Sequence, residues 1–373
     1  MQERLIATLC EMVRIPSESG DEEEFLTYLS DKLTRDVKAD CQRDDYGNLI
    51  CTIGAKHSTA REPVLFAVHG DTVKPGVGIQ PVVRDGVISS EGETILGADC
   101  KAGIAEFLEA VLTAERHPPL QLVITREEET GFFGVKNMDY SLLKARRGFL
   151  LDMDSIDTIV LGTPSHVDID IEITGKAAHS GMEPEKGISA IKAAGAAIAL
   201  LELGRVDFET TANLGTIHGG SARNSVPAKV VIEAEVRSLN HDKCVHLSET
   251  IRETFCDAAH ALGATADVKL DLAYKAHFVK PESPLIRVAV DALREAGIEP
   301  KLTAITGGLE SAVYQEHGIE IVPIGNGVRA EHTPEEHVFV EDMRQVVRVI
   351  HHLFDRLSAA RMDESLTSEE GIP

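Results

Sequence analysis

At 373 residues, 43% hydrophobic and 26% charged, the chain has the make-up of a globular protein long enough for two domains and a large core. Its 61 acids against 37 bases leave a net charge of −24, which argues against nucleic acid or an anionic membrane as partner. That acidity does not by itself indicate a cationic substrate, because an acidic surface is ordinarily a solubility device. No signal-peptide pattern opens the chain. The longest apolar stretch, Ala193 to Leu203, is interrupted by Glu202 and too short to span a bilayer. The six cysteines (Cys10, Cys41, Cys51, Cys100, Cys244, Cys256) include no Cys-x-x-Cys pair. Neither a disulfide framework nor a thiolate zinc site is expected, and a reducing cytoplasm is the expected compartment.

Leu5, Ile6, Leu9, Met12 and Val13 share one helical face that must end before Pro16. Asp21 is placed to cap a second helix, with acids in its first turn and Phe25, Leu26, Leu29 and Leu33 facing inward. Asn48 to Ile53 reads as a strand. Val64, Leu65, Phe66 and Val68 then form an unbroken apolar run, as in a strand buried on both faces, and the run stops at His69-Gly70-Asp71. After a Gly/Pro-rich loop from Pro75 to Pro81, Lys101 to Glu115 reads as a helix and Leu122 to Thr125 as a strand. Gly148 to Leu151 reads as another strand, ending on Asp152. This alternation indicates an α/β sheet layered by helices.

The pattern changes after Pro164. Val167, Ile169, Ile171 and Ile173 alternate with Asp168, Asp170 and Glu172, the mark of a sheet with one wet face. A helix from Gly187 to Leu203, strands near Ala212–Ile217 and Val230–Val236, a helix from His241 and a strand with Val268, Leu270 and Leu272 complete a β-α-β-β-α-β order. The α/β pattern then returns with a helix from Pro284, a strand near Leu302, a short helix after Gly308, the strand Ile319–Ile324 and a last helix from Glu341 to about Arg361. The expected organisation is a discontinuous catalytic domain over 1–164 and 276–373, with an inserted domain at 165–275. The polar tail from Met362 is expected to fray.

Several strand ends carry ligand chemistry. A His and an Asp at the carboxyl end of a buried strand, as His69 and Asp71 are, stand where open α/β sheets place their ligands. A carboxylate such as Asp71 can accept the other ring N–H of the His. Asp99 lies in the small-residue turn Gly97–Gly103 that opens a helix. As an ordinary residue it is a cap; as a functional one it is a carboxylate that bridges two metals. Glu127-Glu128-Glu129 follows the Leu122 strand, and adjacent carboxylates held close need cationic compensation. A metal supplies it, with one Glu as ligand and its neighbour as general base. Asp152, Asp154 and His332 end or follow further strands. With no cysteine competing, a nitrogen and oxygen donor set of this kind suits zinc or manganese in a two-metal hydrolytic centre.

These residues resemble the two-zinc amidohydrolases that include peptidase T, glutamate carboxypeptidase, acetylornithine deacetylase and succinyl-diaminopimelate desuccinylase, over nearly the whole chain. His69-x-Asp71-Thr72-Val73, Gly97-Ala98-Asp99-x-Lys101-Ala102-Gly103 and Glu128-Glu129-x-Gly131 match family motifs, and the second is most like the peptidase T branch. The resemblance implies a zinc-peptidase-like α/β catalytic domain with a central mixed sheet and a ferredoxin-like lid. It implies Glu128 as base with Asp71 and His179 in catalytic support. His69 and Asp152 would hold one metal, Glu129 and His332 the other, and Asp99 both. Asp154 stays open as the alternative to Asp152. Two divalent ions are implied, zinc first, cobalt or manganese otherwise.

Thr174–Gly181 resembles the lid histidine segment, and Asn224-Ser225-Val226-Pro227 with Arg237 resembles the lid strand. By resemblance Asn224 and Arg237 hold substrate, the lids pair into a homodimer, and His179 reaches the partner's active site. His166, His218, His277, His317 and His337 carry no motif and are read as structural. The chain departs from the family at Cys100, where the peptidase T branch has a second Asp, and at Glu310, where relatives have Asp. The family also holds the peptide after the bridging Asp in cis, here Asp99–Cys100. The implied function is a tripeptide aminopeptidase acting on short peptides. A carboxypeptidase or N-acyl amino acid deacylase using the same metals is the alternative, and a catalytically silent binding protein is a third reading.

Overall fold

The computed structural model describes residues 2–358. The chain divides into two compact units: one runs to Leu161 and resumes with Val279–Thr303 and from Leu309 onward, and the other comprises Gly162–Phe278 and Ala304–Gly308. The expectations for the end of the last helix at Arg361 and for the tail from Met362 lie outside the described residues.

The first unit is built on a mixed sheet. Four of its strands run parallel as neighbours, in the order Leu120–Thr125, Val64–His69, Arg147–Met153 and Glu320–Gly325. The strand Leu49–Ile53 adds to one side antiparallel, and Thr158–Thr163 to the other. Every residue of Val64–His69 and of Leu120–Thr125 is buried, as both-face coverage by helices requires. Phe66 centres the core, with the rings of Phe107, Phe149 and Phe354 at 5.1, 5.7 and 5.7 Å. Phe107 belongs to the helix Lys101–Thr113 and Phe354 to Val340–Ser358, whose buried residues recur at spacings of three and four. Gly103 lets its helix reach the sheet: a Cβ there would stand 2.9 Å from Leu151 Cβ and 3.0 Å from Leu151 O.

The parallel block aligns its carboxyl ends. His69 pairs with Thr125, Ala67 with Leu150 and Ile324 with Leu151. Whatever follows Val68, Thr125, Leu151 and Gly325 is therefore delivered to one edge of the sheet. A smaller sheet that the sequence reading missed joins Pro81–Arg84, Val87–Ser90, His337–Phe339 and Val328–Arg329. The loop carrying His332 is the connection between its last two strands.

The second unit is an antiparallel sheet in the order Gly204–Arg205, Thr210–Gly219, Lys229–Ser238, Ser165–Thr174, Thr265–Tyr274, with helices Ala190–Ile198 and His241–Ala261. Val167, Ile169, Ile171 and Ile173 are buried while Asp168, Asp170 and Glu172 are exposed, as the alternation requires.

Some local expectations fail for identifiable reasons. Asp21 does not cap the second helix; Glu22 holds the cap position, and its buried carboxylate instead receives Nε and Nη2 of Arg126 at 2.9 and 2.7 Å. The helix expected over Gly187–Leu203 is confined to Ala190–Ile198 and begins on a Ser189 cap. Cys41 and Cys51 form a disulfide, against the reading of the cysteine spacing. They are ten residues apart in sequence, but the antiparallel register sets them directly opposite, with Cα atoms 4.1 Å apart.

Glu106, in the middle of the Lys101–Thr113 helix, is fully buried, and neither carboxylate oxygen has a hydrogen-bond partner among the described residues. Burial, with Asp342 nearby, pushes its pKa well above the usual range, so it folds as the neutral acid. The unfolded chain sheds that proton near the ordinary Glu pKa, so stability falls as pH rises above it. Glu106→Gln is expected to raise the melting temperature. Its advantage should be absent near pH 4 and grow by up to about 1.4 kcal/mol per pH unit above that, as read in thermal melts from pH 4 to 8.

Candidate metal centre

His69 is the last residue of its strand and is 1% exposed. Its Nδ1 lies 3.0 Å from the main-chain oxygen of Asp71. A carbonyl oxygen only accepts, so Nδ1 carries a proton and Nε2 is the ring nitrogen left to face a metal. The acceptor is thus the Asp71 carbonyl; the Asp71 carboxylate lies farther away, at 3.5 Å. That carboxylate does other work. Fully buried, it accepts from Glu128 N at 3.0 Å, Glu129 N at 3.1 Å and Ser19 Oγ at 2.7 Å. Asp71 thereby joins the end of the His69 strand to the loop after Thr125. Burial opposes its ionisation, but His69, Ser19 and the Glu128 amide outweigh burial and hold its pKa below the usual carboxylate range.

His69 Nε2 faces Asp99 Oδ1 at 3.5 Å and Asp152 Oδ1 at 3.7 Å. The other oxygen of Asp99, Oδ2, lies 3.5 Å from His332 Nε2, which is itself 3.0 Å from Glu129 Oε1. Asp99 is thus flanked by a donor pair on each side. Asp99 does not cap the helix behind it; Cys100 takes that position, without a side-chain hydrogen bond. The Asp99–Cys100 peptide is cis, as the family resemblance implies. Asp154 stands apart: it is exposed and accepts from the amide of Ser155 at 2.7 Å.

Burial pushes the pKa values of Glu128, Glu129 and Asp152 up from the usual range. His332 is pushed up to about 10 by Asp99 and Glu129. Both trends mark one physical fact: more negative charge is gathered here than the surrounding protein neutralises. Three overlapping groups bring their donor atoms within 4.8 Å of one another: His69, Asp99, Cys100 and Asp152; His69, Glu128 and Glu129; and Asp99, Glu129 and His332. Around an ion with bonds of about 2.1 Å, tetrahedral donors stand about 3.4 Å apart. The separations across Asp99 are of that size, and the imidazole and carboxylate donors are those of zinc or manganese. The donor set fits divalent ions.

Cys100 corrects the expectation that no cysteine enters the site. Its Sγ lies 2.7 Å from Asp152 Oδ1 and 3.1 Å from Asp99 Oδ1. Burial and the neighbouring Asp152 push its pKa well above the thiol range, so the protonated thiol donates to the carboxylates.

Sequence reasoning also passed over Glu336, four residues after His332 and 1% exposed. Its Oε2 accepts from Gly97 N at 2.7 Å, and its Oε1 accepts from Ala98 N and Asp99 N at 2.7 and 3.1 Å. One carboxylate thus fixes the turn that aims Asp99. The signal was present in Glu331-His332-Thr333-Pro334-Glu335-Glu336, but nothing local separates a buried acid from two exposed ones. Glu310 is buried, accepts from Thr125 Oγ1 at 2.9 Å, and is pushed up to about 8 by burial.

The second unit holds the remaining expected residues. His179 Nδ1 accepts from Gly181 N and Met182 N, both at 3.2 Å. The main chains of His179 and Ser225 form a β-bridge, and Ser180 N donates to Asn224 O at 3.0 Å, which brings the histidine and asparagine segments together. Arg237 lies on the Lys229–Ser238 strand and gives Nη2 to Glu235 at 2.9 Å.

Comparison with known proteins agrees with the fold. A family model described as the M20 peptidase dimerisation domain matches residues 161–261. Over 362 residues the chain is 35% identical to the uncharacterised protein YqjE of Bacillus subtilis, covering 94% of this chain and 97% of that one. The crystal structure of aminopeptidase PepT from Bacillus cereus is similar at 36% identity and a TM-score of 0.88, over 96% of this chain and 99% of that one. A tripeptidase from Staphylococcus aureus is similar at 32% identity and a TM-score of 0.91, again over 96% and 99%.

The Asp71 carboxylate can be tested without metal. Asp71→Ala leaves the Glu128 and Glu129 amides without their acceptor. It is expected to cost about 1–3 kcal/mol of stability, measured by urea unfolding of the chelator-treated protein.

Proposed function

We propose, from the premise that this chain belongs to the M20 peptidase family and is a hydrolase, that it is a two-metal aminopeptidase of the peptidase T kind acting on short peptides. The observation that carries the reading is Asp99, whose two oxygens each face a separate His and acid pair. Full-length similarity to an aminopeptidase PepT and a tripeptidase supports the substrate class.

In this reading His69 and Asp152 would hold one ion, Glu129 and His332 would hold the other, and Asp99 would be shared between them. Asp152 is preferred to Asp154 because its oxygen, and not that of Asp154, joins His69 and Asp99. Two divalent ions bound there would polarise the scissile carbonyl and would make water a nucleophile at neutral pH. Glu128 stands beside the ligand set with its amide tied to Asp71, and it takes the proton as the water oxygen bonds to the carbonyl carbon. The same carboxyl returns that proton to the amine nitrogen as the C–N bond breaks. His179 accepts two amides at Nδ1, so Nε2 carries its proton; reaching the partner's active site in the proposed homodimer, it would donate to the oxygen on which charge develops. Asn224 and Arg237 hold polar groups of the substrate. The match of residues 161–261 to a dimerisation domain supports a homodimer formed through the second unit.

The deciding experiment compares a free-amine tripeptide with its N-acetylated counterpart on the zinc-loaded chain. Release of the first residue from the free peptide alone is the expected result. Preference for the blocked peptide moves the chain to the carboxypeptidase and deacylase side of the family.

Two variants test the roles. Glu128→Ala should retain metal by elemental analysis and lose about 10²–10⁴-fold in kcat; wild-type turnover would sink the base assignment. Glu336→Ala, by freeing the Gly97–Asp99 turn, is expected to weaken metal binding about 10–100-fold in a chelator competition.

A further inference from the structure

The open face of the second unit's sheet carries a charged cluster that the proposed chemistry leaves unused. In the strand register Arg237 lies opposite His166 and Glu235 opposite Asp168, while Tyr274 lies opposite His166 on the other side. His166 Nε2 is 3.1 Å from Glu235 Oε2 and 3.2 Å from Asp168 Oδ1, yet it makes an aligned hydrogen bond to neither. Its ring meets Tyr274 edge-on at 5.4 Å. The same Oε2 of Glu235 accepts Arg237 Nη2 at 2.9 Å, and Arg237 Nε is buried without an acceptor among the described residues.

Glu235 is therefore shared between the Arg237 guanidinium and the His166 imidazole, and the guanidinium is only partly engaged. A planar guanidinium is matched by a carboxylate that meets two of its N–H groups at once. Glu235 meets one. His166 stands within reach to receive Glu235 should a better carboxylate take the arginine.

Resting on the peptidase reading and on Arg237 as the group that holds a substrate carboxylate, we propose that His166 and Glu235 are positioning residues that couple this recognition to a proton. The C-terminal carboxylate of the peptide takes the guanidinium, and Glu235 passes to His166. His166 takes up one proton from solvent, so the arriving negative charge is matched. The charged and titratable groups facing His166 are Asp168 on its own strand, Glu235 and Arg237 on the Lys229–Ser238 strand, and Tyr274 on the Thr265–Tyr274 strand. Asp271 lies one row farther, opposite Asp168. Beyond Arg237 and Glu235, the next strand offers the uncharged Thr211 and Asn213. Burial opposes protonation of His166, but Asp168 and Glu235 outweigh it and set its pKa above the usual value. Glu235 is held down to about 2, chiefly by His166, with Arg237 assisting. The exchange thus moves an ionised carboxylate between two partners that already compete for it.

The test is calorimetric binding of a tripeptide and of its C-terminal amide to the zinc-loaded Glu128→Gln chain, in buffers of different ionisation enthalpy. Proton uptake with the free acid should be small at about pH 6, rise to a maximum between the midpoints of the free and the substrate-bound His166, and fall again at higher pH. The amide should bind without uptake, and His166→Gln should abolish uptake with the acid. Glu235→Gln, which removes the competing charge, should bind the acid about two- to five-fold tighter. Binding of the acid without uptake, or uptake that persists in His166→Gln, overturns the proposal. Turnover of the same tripeptide by the unmutated chain is read alongside: cleavage without uptake sinks the exchange alone, and absence of both cleavage and binding sinks the peptidase reading with it.

Discussion

The centre rests on one electrostatic constraint: acids gathered at a buried sheet edge must be compensated by cations. Two unit charges 4 Å apart repel by about 4 kcal/mol at an effective dielectric constant near 20. Asp99, Glu128, Glu129 and Asp152 meet at this edge, where His69 and His332 are the basic side chains within ion-pair distance. Burial pushes Glu128, Glu129 and Asp152 toward their neutral forms. Divalent ions would relieve that frustration, and the protein holds the cluster together by other means. Asp71 clamps the Glu128–Glu129 backbone, and Glu336 clamps the turn before Asp99. Arg126 braces the same loop against the buried Glu22.

The parallel block makes such a cluster possible. Its strands are paired so that His69, the loop after Thr125, Asp152 and the loop after Gly325 emerge at one edge. Phe66 and the helices packed on it hold those strands in place, and Gly103 admits the helix that follows Asp99. Two non-glycine residues flanking the acids adopt positive φ: Glu127 at 50° and His332 at 63°. Backbone held in this region is found where surrounding structure over-determines it, as at functional sites.

Much of this was legible in the sequence because apolar runs and the residues that stop them are local signals. The Val64–Val68 run announced a buried strand, and the fold brings His69, which ends it, to the candidate donor cluster. The alternation from Val167 to Ile173 announced the second sheet and its wet face. The unread parts depend on contacts distant in sequence. Glu336 looks like its exposed neighbour Glu335 until the fold brings the Gly97–Asp99 amides to it. Cys41 and Cys51 meet only through strand register. Asp21 was the natural cap by local rules, but a buried Arg126–Glu22 pair reaching across about a hundred residues displaced it. Cys100 was visible as a departure, but its bond to Asp152 required the strand order. His166 belongs to no motif and reads as structural in the sequence, because its cross-strand neighbours Arg237 and Glu235 are set by strand register alone.

The central claim is that Asp99 bridges two ions, each held by one histidine and one acid. Anomalous X-ray diffraction at the zinc edge from crystals of the zinc-loaded chain tests it most directly. The account predicts two peaks about 3.5–4 Å apart on either side of Asp99, one beside His69 and Asp152 and the other beside Glu129 and His332. A single peak that does not touch Asp99, or none at this edge of the sheet, would contradict it.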